Sequence, residues 1–296
     1  MKICITGANS SVGQNLLTHL ISHSEIEIIA GVRSEKAFSS LPQSERITPT
    51  TISYTDQDNL EQAMSGADCV IHLAGILIET KHSNYASANV AATAAVASAA
   101  RNQNVEHLIF ISVIGASPNA KNAYFRSKGS AEELVKQSTP AATILRTPIL
   151  MGPGSAGANS LLNAARGPQA KVLGGGSYTM RPLDIDDLSA ALVKLALEPT
   201  SGVRTLELVG PQPIRYCDLI QQTAAALGKQ VEVGSIPIWL AKLGAGVTST
   251  IKGGGITPTV IDVITSDEVV DNNADTEIGI QLTPLDQTIQ KMTSSE

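Results

Sequence analysis

The stretch Lys2-Ile3-Cys4-Ile5-Thr6-Gly7-Ala8-Asn9-Ser10-Ser11-Val12-Gly13 decides the fold. Its apolar start reads as a β-strand, its glycine-bearing middle as a tight turn, and the amphipathic residues 14–22 that follow as a helix. A strand that turns sharply into a helix beneath a phosphate needs a residue without a Cβ at the turn, and a second one where helix and strand pack closely. Gly7 and Gly13 suit these two places. The unpaired N–H groups and the positive dipole end of the new helix form an anion site suited to a pyrophosphate. Asn9, Ser10, Ser11 and Val12, between the glycines, are therefore candidate cofactor contacts.

Residues 25–32, EIEIIAGV, form a second β-rich run that ends at Arg33. That is about 20 residues after the turn, where a dinucleotide-binding unit reads the adenosine ribose. A carboxylate there would accept from a free 2′-hydroxyl, whereas a cation favours a 2′-phosphate. Arg33 thus points to NADP(H) over NAD(H), with a solvated arginine closing a strand as the plainer alternative.

β-rich runs at 2–6, 26–32, 47–53, 69–74, 108–112 and 143–147 alternate with helical patterns near 12–22, 58–65, 84–103 and 124–138. Such alternation implies an α/β fold, a doubly wound parallel sheet covered on both faces. The Ala-rich segment 85–100 lacks bulky side chains, which suits a helix lying close to the sheet. After Pro148 the pattern gives way to Gly-rich loops at 152–157, 174–176 and 253–255 with helices between them. The expected division is a nucleotide-binding core over 1–150 and a segment over 151–296 that completes the core and forms a small C-terminal substrate lobe.

Composition fits a soluble enzyme. The 296 residues, 43% hydrophobic and 16% charged, can bury a large core. A net charge of −6 leaves no basic footprint for nucleic acid. Met1 leads straight into the first strand, leaving no room for a secretory signal, and the apolar run 236–247 is too short and glycine-broken to span a bilayer. A cytoplasmic location is expected. Cys4, Cys69 and Cys217 are odd in number and widely spaced in apolar surroundings, as buried reduced thiols would be, and no metal site is expected.

The chemistry lies mid-chain. Tyr124 and Lys128, four apart at the start of a helix, project from one face. An ammonium beside a phenol favours the phenolate and makes tyrosine a usable acid or base near neutral pH. Ser112, ending the fifth strand, falls where an open parallel sheet has its ligand crevice and could hold a substrate oxygen. His72, inside an apolar strand, reads as a core or near-cofactor histidine. Asp184, Asp186 and Asp187 read as N-cap and dipole partners of the helix that follows, and Arg181 as an anion clamp or an exposed structural residue.

Residues 6–13, 69–75 (CVIHLAG), Ser112 and the Tyr124/Lys128 pair together resemble an extended or atypical short-chain dehydrogenase/reductase. Residues 124–132, 180–188 and 266–274 are similar to the subfamily of the nucleotide-binding accessory subunit of respiratory complex I, and the N-terminus is similar to NmrA-like NADP-binding regulators. The resemblance implies that Tyr124 is the acid/base, that Lys128 binds the nicotinamide ribose and tunes Tyr124, and that Ser112 orients substrate. It puts Leu73, Ala74 and Gly75 at the cofactor and makes Asn89 a structural or relay asparagine. Two positions depart from the family pattern: Ser10 replaces the middle glycine, with a hydroxyl that could donate to phosphate, and Ser53 replaces an adenine-contacting aspartate, with Asp56 and Asp58 better suited to cap the next helix. The function implied is an NADP(H)-dependent oxidoreductase on a carbonyl or alcohol. A sugar-nucleotide epimerase or dehydratase, or a binding protein that holds NADPH for redox sensing or assembly, would use the same cradle.

Overall fold

The structure, a computed structural model, describes residues 1–138, 141–252 and 255–294. The chain runs β1 (Lys2–Thr6), α1 (Ser11–Ile21), β2 (Glu27–Val32), β3 (Ile47–Thr51), α2 (Gln57–Met64), β4 (Cys69–His72), α3 (Ala92–Asn102), β5 (His107–Val113), α4 (Ala123–Ser138) and β6 (Ala141–Thr147). It continues through β7 (Leu150–Met151), α5 (Ala156–Arg166), β8 (Gln169–Leu173), β9 (Thr179–Met180), β10 (Leu183–Asp184), α6 (Ile185–Leu197) and β11 (Gly202–Glu207). The remainder is β12 (Ile214–Arg215), α7 (Tyr216–Ala226), β13 (Glu232–Ile236), α8 (Ile238–Lys252), α9 (Pro258–Ile264), α10 (Asp275–Ile278) and α11 (Leu285–Ser294).

Seven strands form one parallel sheet in the order β3-β2-β1-β4-β5-β6-β11. Strand order reverses at β1, between β2 and β4, and a ligand crevice opens at the carboxyl ends of the strands at such a point. Helices on both faces explain why the middle of β1 is apolar: Ile3, Cys4 and Ile5 are fully buried. Leu16, Leu17 and Leu20 of α1 and Leu188, Leu192 and Leu195 of α6 cover one face; Leu60 and Met64 of α2, Val96 and Ala100 of α3 and Val135 of α4 cover the other. In α3, Val96, Ala97 and Ala99 are fully buried, as close apposition of a small-residue helix requires. Cys4 and Cys69 belong to these cores, and burial pushes both thiols up, Cys4 to about 12.

β4 ends at His72 rather than 74, and the helix expected over 84–103 opens with one wide π-type turn at Ala86–Ala91 before α3 begins. The seventh strand, β11, was hidden in the loop-rich half, because an edge strand needs only one buried row: Leu206 is buried while Val203 is exposed. Residues beyond 150 thus supply both a strand and a helix of the central sheet. A separate cluster of α5, α7 and α11, built on Leu161, Leu219, Ile220 and Ile289, forms the C-terminal lobe. Among the described residues no helix is long and apolar enough to cross a membrane.

The acidic run before α6 acts as the sequence suggests. Asp184 Oδ1 accepts from Asp186 N at 2.9 Å as the N-cap, and its Oδ2 accepts from Thr288 Oγ1 and Lys291 Nζ of α11. Asp186 takes Asn15 and Lys291, and Asp187 takes Thr283, so these carboxylates tie α11 to the core.

Candidate functional site

Gly7 has φ +80°, and a Cβ on it would stand 3.2 Å from Ala74 N, so the turn after β1 closes onto the chain leaving β4. A Cβ on Gly13 would stand 2.5 Å from Ala8 O, the close helix packing expected of the second glycine. Ser10 caps α1: its Oγ accepts from Gly13 N at 3.0 Å and donates to Gly7 O at 2.8 Å. That hydroxyl hydrogen is therefore spent inside the turn rather than offered to a phosphate.

A cleft of about 560 Å³ opens here, lined by Gly7, Asn9, Ser10, Arg33, Leu73, Ala74 and Gly75, with Ser53, Tyr54 and Thr55 also on its wall. Ser11, Val12 and Gly13 do not line it; Val12 packs on the core and Gly13 is buried. Arg33 is exposed at the rim and makes no hydrogen bond or ion pair among the described residues. Asp56 is committed to capping α2 through Asn59 N. His72 lies beneath the cleft with Nδ1 2.6 Å from Thr6 Oγ1, Nε2 3.1 Å from Thr93 Oγ1, and its ring stacked on Phe110. Burial pushes it down to about 3, so it is a neutral core histidine.

Asn122 Oδ1 accepts from Tyr124 N at 2.9 Å and so fixes the start of α4. Tyr124 is 9% exposed, its ring 5.8 Å from those of Tyr85 and Phe125, and its hydroxyl makes no hydrogen bond among the described residues. Lys128 donates from Nζ to Ile111 O at 2.7 Å and sits over the Phe110 ring, 4.2 Å from its centroid. Its Nζ is 3.7 Å from where a Gly75 Cβ would be, which places the ammonium on the nucleotide side. Asn89, in the π-type turn, accepts from Ile76 N and donates to Ile76 O and Ser127 Oγ, locking that wall to α4.

The expected lowering of the Tyr124 pKa is not what this arrangement produces. Burial, with Tyr85 adding to it, pushes the phenol well above its ordinary value, because the Lys128 ammonium is held at Ile111 instead. Burial pushes Lys128 itself down to about 8, with Glu132 opposing. Between about 8 and the usual 10.5 the unfolded chain therefore binds more protons than the folded one, and this group makes the protein more stable as pH rises through that window. The raised Cys4 and Cys69 thiols pull stability the other way above about pH 9, so the check is a comparison: between pH 7.5 and 10 the denaturant midpoint of wild type is expected to gain relative to that of Lys128→Met.

Ser112 is fully buried and donates from Oγ to Glu132 Oε1 at 2.5 Å, away from any substrate space. Glu132 also accepts from Arg146 Nε at 2.9 Å and Nη2 at 2.7 Å. Side chains alternate along a strand, so it is Val113, one residue on, that faces the second cavity. The placement of Ser112 at the substrate oxygen is corrected accordingly. Of the two readings of Arg181 the structural one fits: its guanidinium donates to Gly210 O and Pro211 O, joining two loops.

That second cavity, about 610 Å³, opens beside the first: Ile76 lines one and Leu77 the other. Tyr124, Phe125, Val113, Ile149 and Met180 wall it with Arg146 and Glu207, and the segment 263–269 closes it with Val263, Glu268 and Val269. Arg146, Glu132, Glu207 and Glu268 escaped the sequence reading. Glu132 alone left a local signal, a carboxylate one turn beyond Lys128 on the same buried face of α4.

A glycine turn before a helix N-terminus, an exposed arginine at the rim and a lysine ammonium near Gly75 are thus grouped around one cleft. A family model described as NAD(P)H-binding matches residues 7–173. The chain belongs to the NAD(P)H-binding family. This NAD(P)H-binding protein is 24% identical over 220 residues to NADH dehydrogenase (ubiquinone) 1 alpha subcomplex subunit 9, mitochondrial, of Dictyostelium discoideum, covering 73% of this chain and 61% of that protein. It is 25% identical over 266 residues to the 4-hydroxy-2-methyl-3-oxo-4-farnesyl-3,4-dihydroquinoline-1-oxide ketoreductase of Stigmatella aurantiaca, covering 83% of this chain and 79% of that one. The chain spans 42–61% of the length of the first curated relatives it matches. Its fold is that of the Citrobacter sp. triphenylmethane reductase complexed with NADP(H), with a TM-score of 0.77 and 21% identity over 98% of this chain and 99% of that one.

Proposed function

We propose that this chain is an NADP(H)-dependent reductase of a carbonyl compound. The observation that carries the reading is the junction of the two clefts: Lys128 borders the nucleotide side at Gly75 while Tyr124, one turn away on α4, faces the apolar cavity with an unpartnered hydroxyl. A bound nicotinamide would supply a hydride to the carbonyl carbon. Tyr124 gives its proton to the carbonyl oxygen, and a phenol held protonated through the neutral range is suited to that direction, since an alkoxide is far more basic than a phenolate. Lys128 would hold the nicotinamide ribose hydroxyls, and residues beyond 150 supply part of the substrate wall. The ketoreductase relative supports a reductase over an epimerase. Consumption of one NADPH per alcohol formed, on adding a ketone, is the test; NADPH bound but never consumed across aldehydes, ketones and quinones would leave the binding-protein reading.

Arg33 carries the cofactor preference, because its free guanidinium can meet a 2′-phosphate. A charge-assisted hydrogen bond contributes about 1.5–3 kcal/mol, so NADPH is expected to bind about tenfold or more tightly than NADH. Arg33→Asp is expected to reverse the order, and equal affinities in wild type would contradict the assignment.

A further inference from the structure

Resting on the reductase reading, we propose that the second cavity selects bulky apolar carbonyl compounds that carry a hydrogen-bond donor or a cationic group for Glu268, and that it rejects anions. The cavity's volume lies within the ~300–1,000 Å³ of small-molecule sites, and its aliphatic and aromatic walls exclude a small polar substrate. Its charges are unequal. Arg146 stands against three carboxylates, Glu207, Asp267 and Glu268. That arginine is already committed, at 2.7 Å to Glu132 and 3.2 Å to Glu207, so no described lining residue offers a free cation to an incoming anion. The nucleotide cleft, with Arg33 unpaired at its rim, has the opposite character.

Glu268 is the carboxylate with capacity to spare. It makes no ion pair among the described residues; Oε1 accepts from Ile149 N at 3.3 Å and Oε2 from Arg181 N at 2.7 Å. A carboxylate has about four acceptor positions, so about one remains on each oxygen. Burial raises its pKa against the opposing effect of those two N–H groups and the more distant Arg181 guanidinium, which means that its charge is incompletely compensated. A donor or cation on the substrate relieves that cost, and an anion adds to it. The diphosphate of a sugar nucleotide falls on the rejected side.

The probes are four ketones of one skeleton: benzophenone, 4-(aminomethyl)benzophenone, 4-(hydroxymethyl)benzophenone and 4-benzoylbenzoate, titrated calorimetrically into the protein with and without NADP+. The ammonium and hydroxyl ketones are expected to bind about tenfold or more tightly than 4-benzoylbenzoate, and Glu268→Gln to narrow the gap between ammonium and carboxylate to about threefold. The wild-type order stands as a test even where the variant folds poorly. Equal or tighter binding of 4-benzoylbenzoate, failure of the ammonium and hydroxyl ketones to bind, or an unchanged gap in folded Glu268→Gln overturns the inference. Parallel NADPH oxidation separates the two claims: selective binding without oxidation removes the reductase reading and keeps the cavity's selectivity, whereas oxidation without selectivity does the reverse.

Discussion

Tyr124→Phe is expected to lower turnover of any ketone this protein reduces by about 10²–10⁴-fold, the usual contribution of a general acid, while leaving NADPH affinity unchanged. The substitution removes one hydroxyl that makes no hydrogen bond among the described residues, so the packing of the ring on Tyr85 and Phe125 survives. Loss of activity in Tyr124→Phe thus reports on proton transfer rather than on folding. Stopped-flow NADPH oxidation alongside an equilibrium NADPH titration reads both quantities. Full turnover in the variant would remove Tyr124 from the mechanism even with the cofactor site intact.

Glu132→Ala is expected to destabilise the fold by about 3 kcal/mol, the lower end for breaking a buried ion pair. Glu132 is 1% exposed and accepts from Ser112 and twice from Arg146, and its loss strands those donors; the remaining contact of Arg146 with Glu207 limits the damage. Ser112→Ala removes only one hydrogen bond to that carboxylate and is expected to cost about 1.5–3 kcal/mol and to leave turnover within a few-fold of wild type. Urea midpoints and steady-state rates on both variants check this. A loss of turnover in Ser112→Ala as large as that in Tyr124→Phe would return Ser112 to the substrate oxygen.

The nucleotide half was legible because its devices are local. A positive φ at Gly7, a close approach at Gly13 and a cation after β2 are all fixed within thirty residues of chain, whereas the Ser10 hydroxyl, read as a donor to phosphate, caps α1 instead. The α/β alternation likewise gave six of the sheet's strands, and missed β11 because a short edge strand carries too weak a pattern to stand out among loops. The substrate half was legible only in part. Tyr124 and Lys128 share a helix face, as spacing implies, yet the direction of the tyrosine's pKa shift depends on Tyr85, almost forty residues earlier, and on where Lys128 finds its acceptor. Ser112 pointed the wrong way because a one-residue step along a strand exchanges faces, and no local signal distinguishes Ser112 from Val113. Glu268 and Arg146 come together only through the packing of segments more than a hundred residues apart, which spacing along the chain does not encode.

If NADP(H) is seated on the turn at Gly7, as proposed, fluorescence titration of NADPH separates wild type from Gly7→Val. A valine at φ +80° is strained, and its side chain would press on the backbone of Leu73 and Ala74 and so displace the wall of the cleft. The expected result is saturable binding to wild type and none to a Gly7→Val protein whose circular dichroism is unchanged. Saturable binding of equal affinity in both, or none in wild type, would contradict it.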